Sequence, residues 1–176
     1  MVEVEQVLDL LIEGYTKKDI TNIDNFMKLF SDDKQAEMIG IGATVPGEYE
    51  WFRGKDEIKE IIISDWTHWG NVIFDKNSLV IHKNSETAWF RVCVQLEQTE
   101  SSEETWEFFK SQMLELLTTN DGKAADKMFN ATHFGMRRIY ERNLGKGHMW
   151  PMIITGVLQK EKDWRFHTLH WSMPVE

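Results

Sequence analysis

Residues 156–174, GVLQKEKDWRFHTLHWSMP, decide the fold. A strand opens at Gly156, a charged turn falls at Glu161-Lys162-Asp163, and a second strand runs from Trp164 to Ser172 before Pro174 stops it. Alternate side chains of a strand share a face. Regular alternation puts Trp164, Phe166, Thr168, His170 and Ser172 on one face, and Arg165, His167, Leu169, Trp171 and Met173 on the other. Neither set is plainly polar, so both faces are expected to meet protein or a pocket.

Working outward, the chain has 176 residues, enough for one core and too few to expect two domains. Hydrophobic residues make up 41% and charged residues 28%, the balance of a soluble globular protein. Eight Trp and ten Phe supply burial and can also wall an apolar pocket. The formal net charge of -9 argues against nucleic acid or an anionic membrane as partner, because both need clustered Lys and Arg. Arg137-Arg138 with Arg142 is the nearest such group; it suits either an anion in a cavity or salt bridges to the many carboxylates. The single cysteine, Cys93, excludes an internal disulfide and reads as a small buried hydrophobe rather than a nucleophile. No apolar signal core and no run of ~20 apolar residues is present, so a reducing cytoplasm is the expected location.

Val4, Val7, Leu8, Leu11, Ile12 and Tyr15 recur at helical spacing and predict an amphipathic helix over residues 3–18. Ile23, Phe26, Met27 and Phe30 mark a short second helix. Residues 36–41 read as a strand running into the bend Gly40-Ile41-Gly42. A third helix follows Gly54, with Ile58, Ile61, Ile62, Asp65, Trp66 and Trp69 on roughly one side. Val72–Asp75 and Ser78–His82 are one bulged strand or two pieces. In the strand Glu86–Gln98, Ala88, Phe90, Val92, Val94 and Leu96 are core, alternating with the mixed set Trp89, Arg91, Cys93, Gln95 and Glu97. Ser101 and Glu104 form a capping-box pattern. Trp106, Phe109, Met113, Leu116 and Leu117 then give a helical stripe, with a short helical piece reaching Phe129. Residues 133–141 read as strand, and Met149–Lys160 as a central strand apolar on both faces. Helices gathered against an antiparallel sheet define an α+β domain. The whole chain, 1–176, is expected to be a single domain with a helical insertion at about 101–130.

This order resembles the nuclear-transport-factor-2-like superfamily, in particular its SnoaL-like and ketosteroid-isomerase-like domains. The matching pieces are Asp24–Phe30, Trp51-Phe-Arg-Gly54-Lys, Ala88-Trp-Phe-Arg91 and the terminal stretch through His170-Trp-Ser172-Met-Pro174. The resemblance implies a cone, a strongly curved antiparallel sheet wrapped around the N-terminal helices, with a cavity between helices and sheet. It also implies a homodimer through the outer sheet face. In the isomerases of the superfamily a carboxylate base ends the first strand and a tyrosine on the first helix holds the oxyanion. The corresponding positions here fall near Gly40, which has no side chain, and near Leu11, one helical turn before Tyr15, so that constellation is not carried over.

Other residues carry the candidate chemistry. Asp65, among apolar neighbours on the third helix, suits a pocket base or a structural carboxylate that caps or pairs with an arginine. His170 falls on a recurring histidine of the family; it can shuttle protons or hold the sheet through one hydrogen bond. Arg91 fits a bidentate carboxylate contact or a cross-sheet ion pair. Trp51, Trp66, Trp89 and Trp150 are candidate ligand-binding walls or core packing. No histidine pair has metal-ligand spacing, and no phosphate loop, nucleophile elbow or CxxC occurs, so neither metal nor cofactor is expected.

Two functions compete. One is binding of a small apolar or amphipathic molecule in the cone cavity, with isomerase- or lyase-like acid/base chemistry as an extension. The other is a non-catalytic dimerisation or association module. The stripe from Trp106 to Leu117 serves as a lid over the cavity in the first, and as packing on the outer sheet or a widened dimer contact in the second.

Overall fold

A computed structural model describes residues 3–48, 50–99, 103–119, 122–140 and 146–173, without the side chains of 103–105, 108, 119 and 137–140. The Ser101–Glu104 capping pattern and Arg142 lie outside the described residues, as do the side chains of Arg137 and Arg138. The chain divides into two compact units, one of residues 1–96 and 149–176, the other of residues 97–148.

The first unit starts with α1, Val4–Lys17. Its buried stripe is Val4, Val7, Leu8, Leu11 and Tyr15. The helix ends where Lys18 turns left-handed at φ 50° and donates from Nζ to the Gly70 carbonyl. A broken helical stretch follows: a 3-10 turn at Ile20–Asn22, α2 at Ile23–Phe26 and a second 3-10 turn at Met27–Leu29. Then come β1, Glu37–Ile39, and β2, Trp51–Arg53. The helix α3, Gly54–His68, buries Ile58, Ile62 and Trp66 and carries Asp56 and Glu57 at its positive end. Four longer strands complete the unit: β3 Asn71–Lys83, β4 Thr87–Glu97, β5 Met149–Lys160 and β6 Trp164–Ser172.

The six strands order as β2-β1-β6-β5-β4-β3. The sheet does not close, since β2 and β3 are its outermost strands. It curves enough for α1 to touch both the edge strand β3 and the central β6. The sheet is mixed rather than wholly antiparallel, because β1 lies parallel to β6 with Met38 opposite Leu169. The strand β2 was not foreseen, and the strand before it is shorter than the 36–41 expected. β3 is one strand, and the Cys93 amide of β4 donates to its Ser78 Oγ at 2.7 Å.

β4 alternates as expected, with Ala88, Phe90, Val92, Val94 and Leu96 all buried. The decisive hairpin does not alternate regularly. Val157 pairs with Thr168 but Leu158 pairs with Phe166, which leaves His167 as an extra residue in β6. Such a bulge shifts the side chains beyond it to the opposite face. Trp164 and Phe166 therefore share the buried side with Leu169 and Trp171, not with Thr168, His170 and Ser172.

In the second unit, α4 (Glu103–Thr119) and α5 (Ala124–Tyr140) pack on each other. Residues 133–140 are therefore helix, not strand. Among the described side chains of α5, Lys127, Ala131, Phe134, Gly135 and Met136 are partly covered, and the first four follow a helical period through the stretch. The Phe109 and Phe134 rings stack at 5.7 Å. A side chain at Gly135 would lie 3.9 Å from Met113 Cε. At the base of this unit, the Gln98 amide donates to the His148 carbonyl and the Gly147 amide to the Gln98 carbonyl.

Candidate functional site

Tyr15 sits on the last turn of α1, where the stripe turns it into the space between helices and sheet. Its phenol donates to Asp65 Oδ2 of α3 at 3.5 Å. Rings enclose it. Trp171 lies at 5.1 Å between centroids, Trp66 at 6.2 Å, Phe26 at 6.3 Å and Phe74 at 6.4 Å. Trp69 closes on Trp171 edge-on at 5.0 Å. Burial pushes the Tyr15 phenol well above its ordinary pKa, and the Asp65 charge adds to the rise. At neutral pH it is therefore a proton donor in a hydrogen bond and not an anion.

Two further polar atoms belong to this cluster. Trp66 Nε1 and Trp171 Nε1 are buried and have no acceptor among the described residues. Buried indole N–H groups are normally satisfied; Trp164 Nε1, at the start of β6, is in the same state. Away from Tyr15 the ring packing continues through Phe30, Phe90 and Phe166. A cleft of about 220 Å³ lies between α1 and the broken helical stretch, lined by Gly14, Lys17, Asn22, Asn25, Phe26 and Trp66 among others. Phe26 and Trp66 are the wall that this cleft shares with the Tyr15 cluster. A side chain at Gly14 would overlap the Phe26 ring, with Cβ 2.1 Å from Cε2. Glycine at that position is what lets the ring seat against α1.

The expected site residues divide between two faces of the sheet unit. Asp65 and Trp66 come together with Tyr15. His170 does not: it lies beyond the bulge, paired with Thr155 and Ile39, on the face turned away from the core. Trp89 and Arg91 lie on that outer face as well; Trp89 is exposed and stacks on His82 at 4.4 Å. Trp51, on β2, donates from Nε1 to Glu37 Oε2 at 2.8 Å. Trp150 is half-buried and packs against the core from β5. Asp65 and His170 therefore lie on opposite sides of the sheet.

The sequence alone missed Glu50. A Cβ built on Gly40 would lie 2.6 Å from Glu50 Oε2, so this carboxylate fills the space that residue 40 leaves beside the end of β1. Its Oε2 accepts from the Gly42 amide at 2.7 Å, and the Gly40 amide donates to the Glu50 carbonyl at 2.7 Å. The glycines at 40 and 42 were a visible signal. Linking them to an acid ten positions on requires the β1–β2 pairing.

On the outer face, a groove of about 680 Å³ crosses β3 to β6, lined by Ile73, Cys93, Gln95, Pro151, Ile153 and Ser172 among others. No group of three or more metal-binding side chains occurs among the described residues. No helix among them is long and apolar enough to cross a membrane.

No family model matches the sequence. No curated protein matches it either. Solved structures do. A ketosteroid isomerase-like protein from Erwinia carotovora atroseptica superposes with a TM-score of 0.57 at 14% identity, covering 98% of this chain and 95% of that one. A nuclear transport factor 2 (NTF2-like) superfamily protein from Salmonella enterica gives 0.57 at 12%, covering 97% and 88%. An NTF2-like protein of unknown function from Pseudomonas putida gives 0.56 at 13%, covering 98% and 85%. At such identities the likeness concerns the backbone and not the site, and on that basis the chain has the NTF2-like α+β fold.

Proposed function

We propose that the protein binds a small amphipathic molecule at the Tyr15–Asp65 cluster. One observation carries this: a phenol, a carboxylate and two indole donors without acceptors meet inside an aromatic interior. Ligand sites are typically apolar enclosures with a few convergent polar groups. A carbonyl or hydroxyl head would accept from Trp66 or Trp171 Nε1, and its apolar body would lie along Phe26 and Trp66 towards the cleft. Asp65 then offers a proton acceptor opposite the protonated Tyr15, the pairing that isomerase- or lyase-like proton transfer needs. Glu50 stands at the end of β1 as a second carboxylate.

The test is a thermal-shift screen of amphipathic ketones, enones and alcohols on the wild type and on Trp66→Phe. Compounds that raise the wild-type melting temperature are expected, because a ligand that binds only the folded state stabilises it by mass action. The same compounds should lose most of that shift on Trp66→Phe. Equal shifts in the two proteins, or none across the screen, would count against the site.

A second reading, association of two copies through the outer sheet face, is favoured by Ile73, Trp89, Met149 and Ile153, all exposed on the sheet unit. The groove of about 680 Å³ on that face is consistent with a protein contact as well as with a ligand. Ile153→Glu would break such a dimer, and unchanged sedimentation of that variant would exclude it.

A further inference from the structure

The Phe26 ring occupies the place beside Trp66 where the apolar body of a ligand would lie. It is 4.8 Å from the Trp66 ring and 6.3 Å from that of Tyr15, edge to face in both cases. Phe26 and Trp66 also line the cleft of about 220 Å³, whereas Tyr15, Asp65 and Trp171 do not. The two rings are thus what divides the cleft from the cluster. Trp66 Nε1 belongs to this dividing wall, buried and with no acceptor among the described residues. A phenyl ring beside it supplies apolar contact and no oxygen to accept a hydrogen bond.

Freedom and room to move are both present. Phe26 ends α2, four residues between two 3-10 turns, and a helix that short has no interior turn to fix it. The ring is seated against Gly14, where a Cβ would stand 2.1 Å from Cε2 and 2.5 Å from Cδ2, so only glycine permits this position. A dry hollow of about 150 Å³ is enough to hold benzene. The cleft of about 220 Å³ beside the ring can therefore receive it.

We propose that the Phe26 ring holds the ligand's place: a single-ring carbonyl compound enters beside Trp66 and Tyr15 as that ring leaves its seat on Gly14 for the cleft. This rests on the ligand reading above and adds to it a size and a class. Exchange of ring for ring keeps the apolar packing, and the gain is an oxygen that accepts from Trp66 Nε1. A fused polycycle does not fit, because the exchange frees the volume of one ring. The seated ring also lowers the apparent affinity, because only the unseated fraction of the protein binds.

Titration with acetophenone, followed by nitrogen-15 NMR, tests this on the wild type, Phe26→Ala and Phe26→Leu. The Trp66 indole and Gly14 amide signals report the two ends of the exchange, the carbonyl arriving and the ring leaving. In the wild type both should move with one binding curve. Phe26→Ala should bind acetophenone at least about tenfold more tightly, and Phe26→Leu more tightly by a smaller factor, because the ring no longer competes. Ethylbenzene, of the same size but lacking the oxygen, should bind these variants more weakly than acetophenone. Far-ultraviolet circular dichroism checks the fold, and Phe26→Leu, which keeps most of the apolar bulk, stands alone if Phe26→Ala loses helix. Wild-type binding that moves Trp66 but not Gly14, with no gain in either variant, overturns the exchange and leaves the ligand site standing. No movement of Trp66 in any of the three proteins overturns both.

Discussion

The sheet unit and the helical hairpin use large apolar side chains in opposite ways. In the sheet unit, Trp171, Tyr15, Phe30, Phe90 and Phe166 are all less than 2% exposed and pack ring against ring. In the hairpin, Trp106, Leu114, Met128 and Phe129 stand mostly in solvent. The first pattern is that of a finished core, and what is unusual inside it is polar. In the second, what is unusual is that large apolar side chains are exposed. Composition alone merges the two, because a tryptophan counts the same in either place.

Substitutions should separate the regions sharply. Trp171→Ala removes a ring that touches both Tyr15 and Trp69, and should cost about 3–5 kcal/mol in urea unfolding. A smaller loss would mean the interior is looser than described. Gly156→Ala follows, since its Cβ would lie 2.5 Å from Phe90 and 2.9 Å from the Thr168 carbonyl; overpacking here should cost about 1–3 kcal/mol. Tyr15→Phe deletes one long hydrogen bond and should cost about 1 kcal/mol or less at neutral pH.

The tyrosine also gives a pH signature. Its pKa is raised in the folded protein, so its contribution is constant below the unfolded value of about 10 and declines as pH rises above it, when the unfolded chain ionises first. Wild-type stability should therefore fall more steeply above pH 10 than that of Tyr15→Phe, measured by chemical unfolding across that range. Parallel curves would mean that Tyr15 ionises freely. At the small end of the scale, Leu114→Gln in the hairpin should change monomer stability by no more than about 0.5 kcal/mol. A cost near that of Trp171→Ala would show that Leu114 is covered.

Where the sequence was legible follows from how local each feature is. The stripe of α1 and the alternation of β4 are written in neighbouring residues, and both stand as expected. The bulge at His167 is not, because it is defined by which β5 residue each β6 residue faces. That single skip put His170 on the face opposite Trp164 and Phe166. The parallel contact of β1 with β6 and the existence of β2 are likewise set by pairing across long separations. The helix α5 was misread: Phe134 and Met136 alternate as in a strand, and the helical period shows only when Lys127 and Ala131 are taken with Phe134. At the site, Asp65 was recognisable as an acid in apolar company, and Tyr15 as a near miss of a family position. That they meet, fifty positions apart, only the packed helices could reveal.

The central claim is that the polar groups around Tyr15 are where a small molecule binds. Nitrogen-15 NMR of the tryptophan indole N–H signals tests it directly, with Trp66→Phe and Trp171→Phe supplying the assignments. A compound that stabilises the protein should shift the Trp66 and Trp171 signals together and leave that of exposed Trp89 in place. A stabilising compound that moves Trp89 while Trp66 and Trp171 stay fixed would contradict the account.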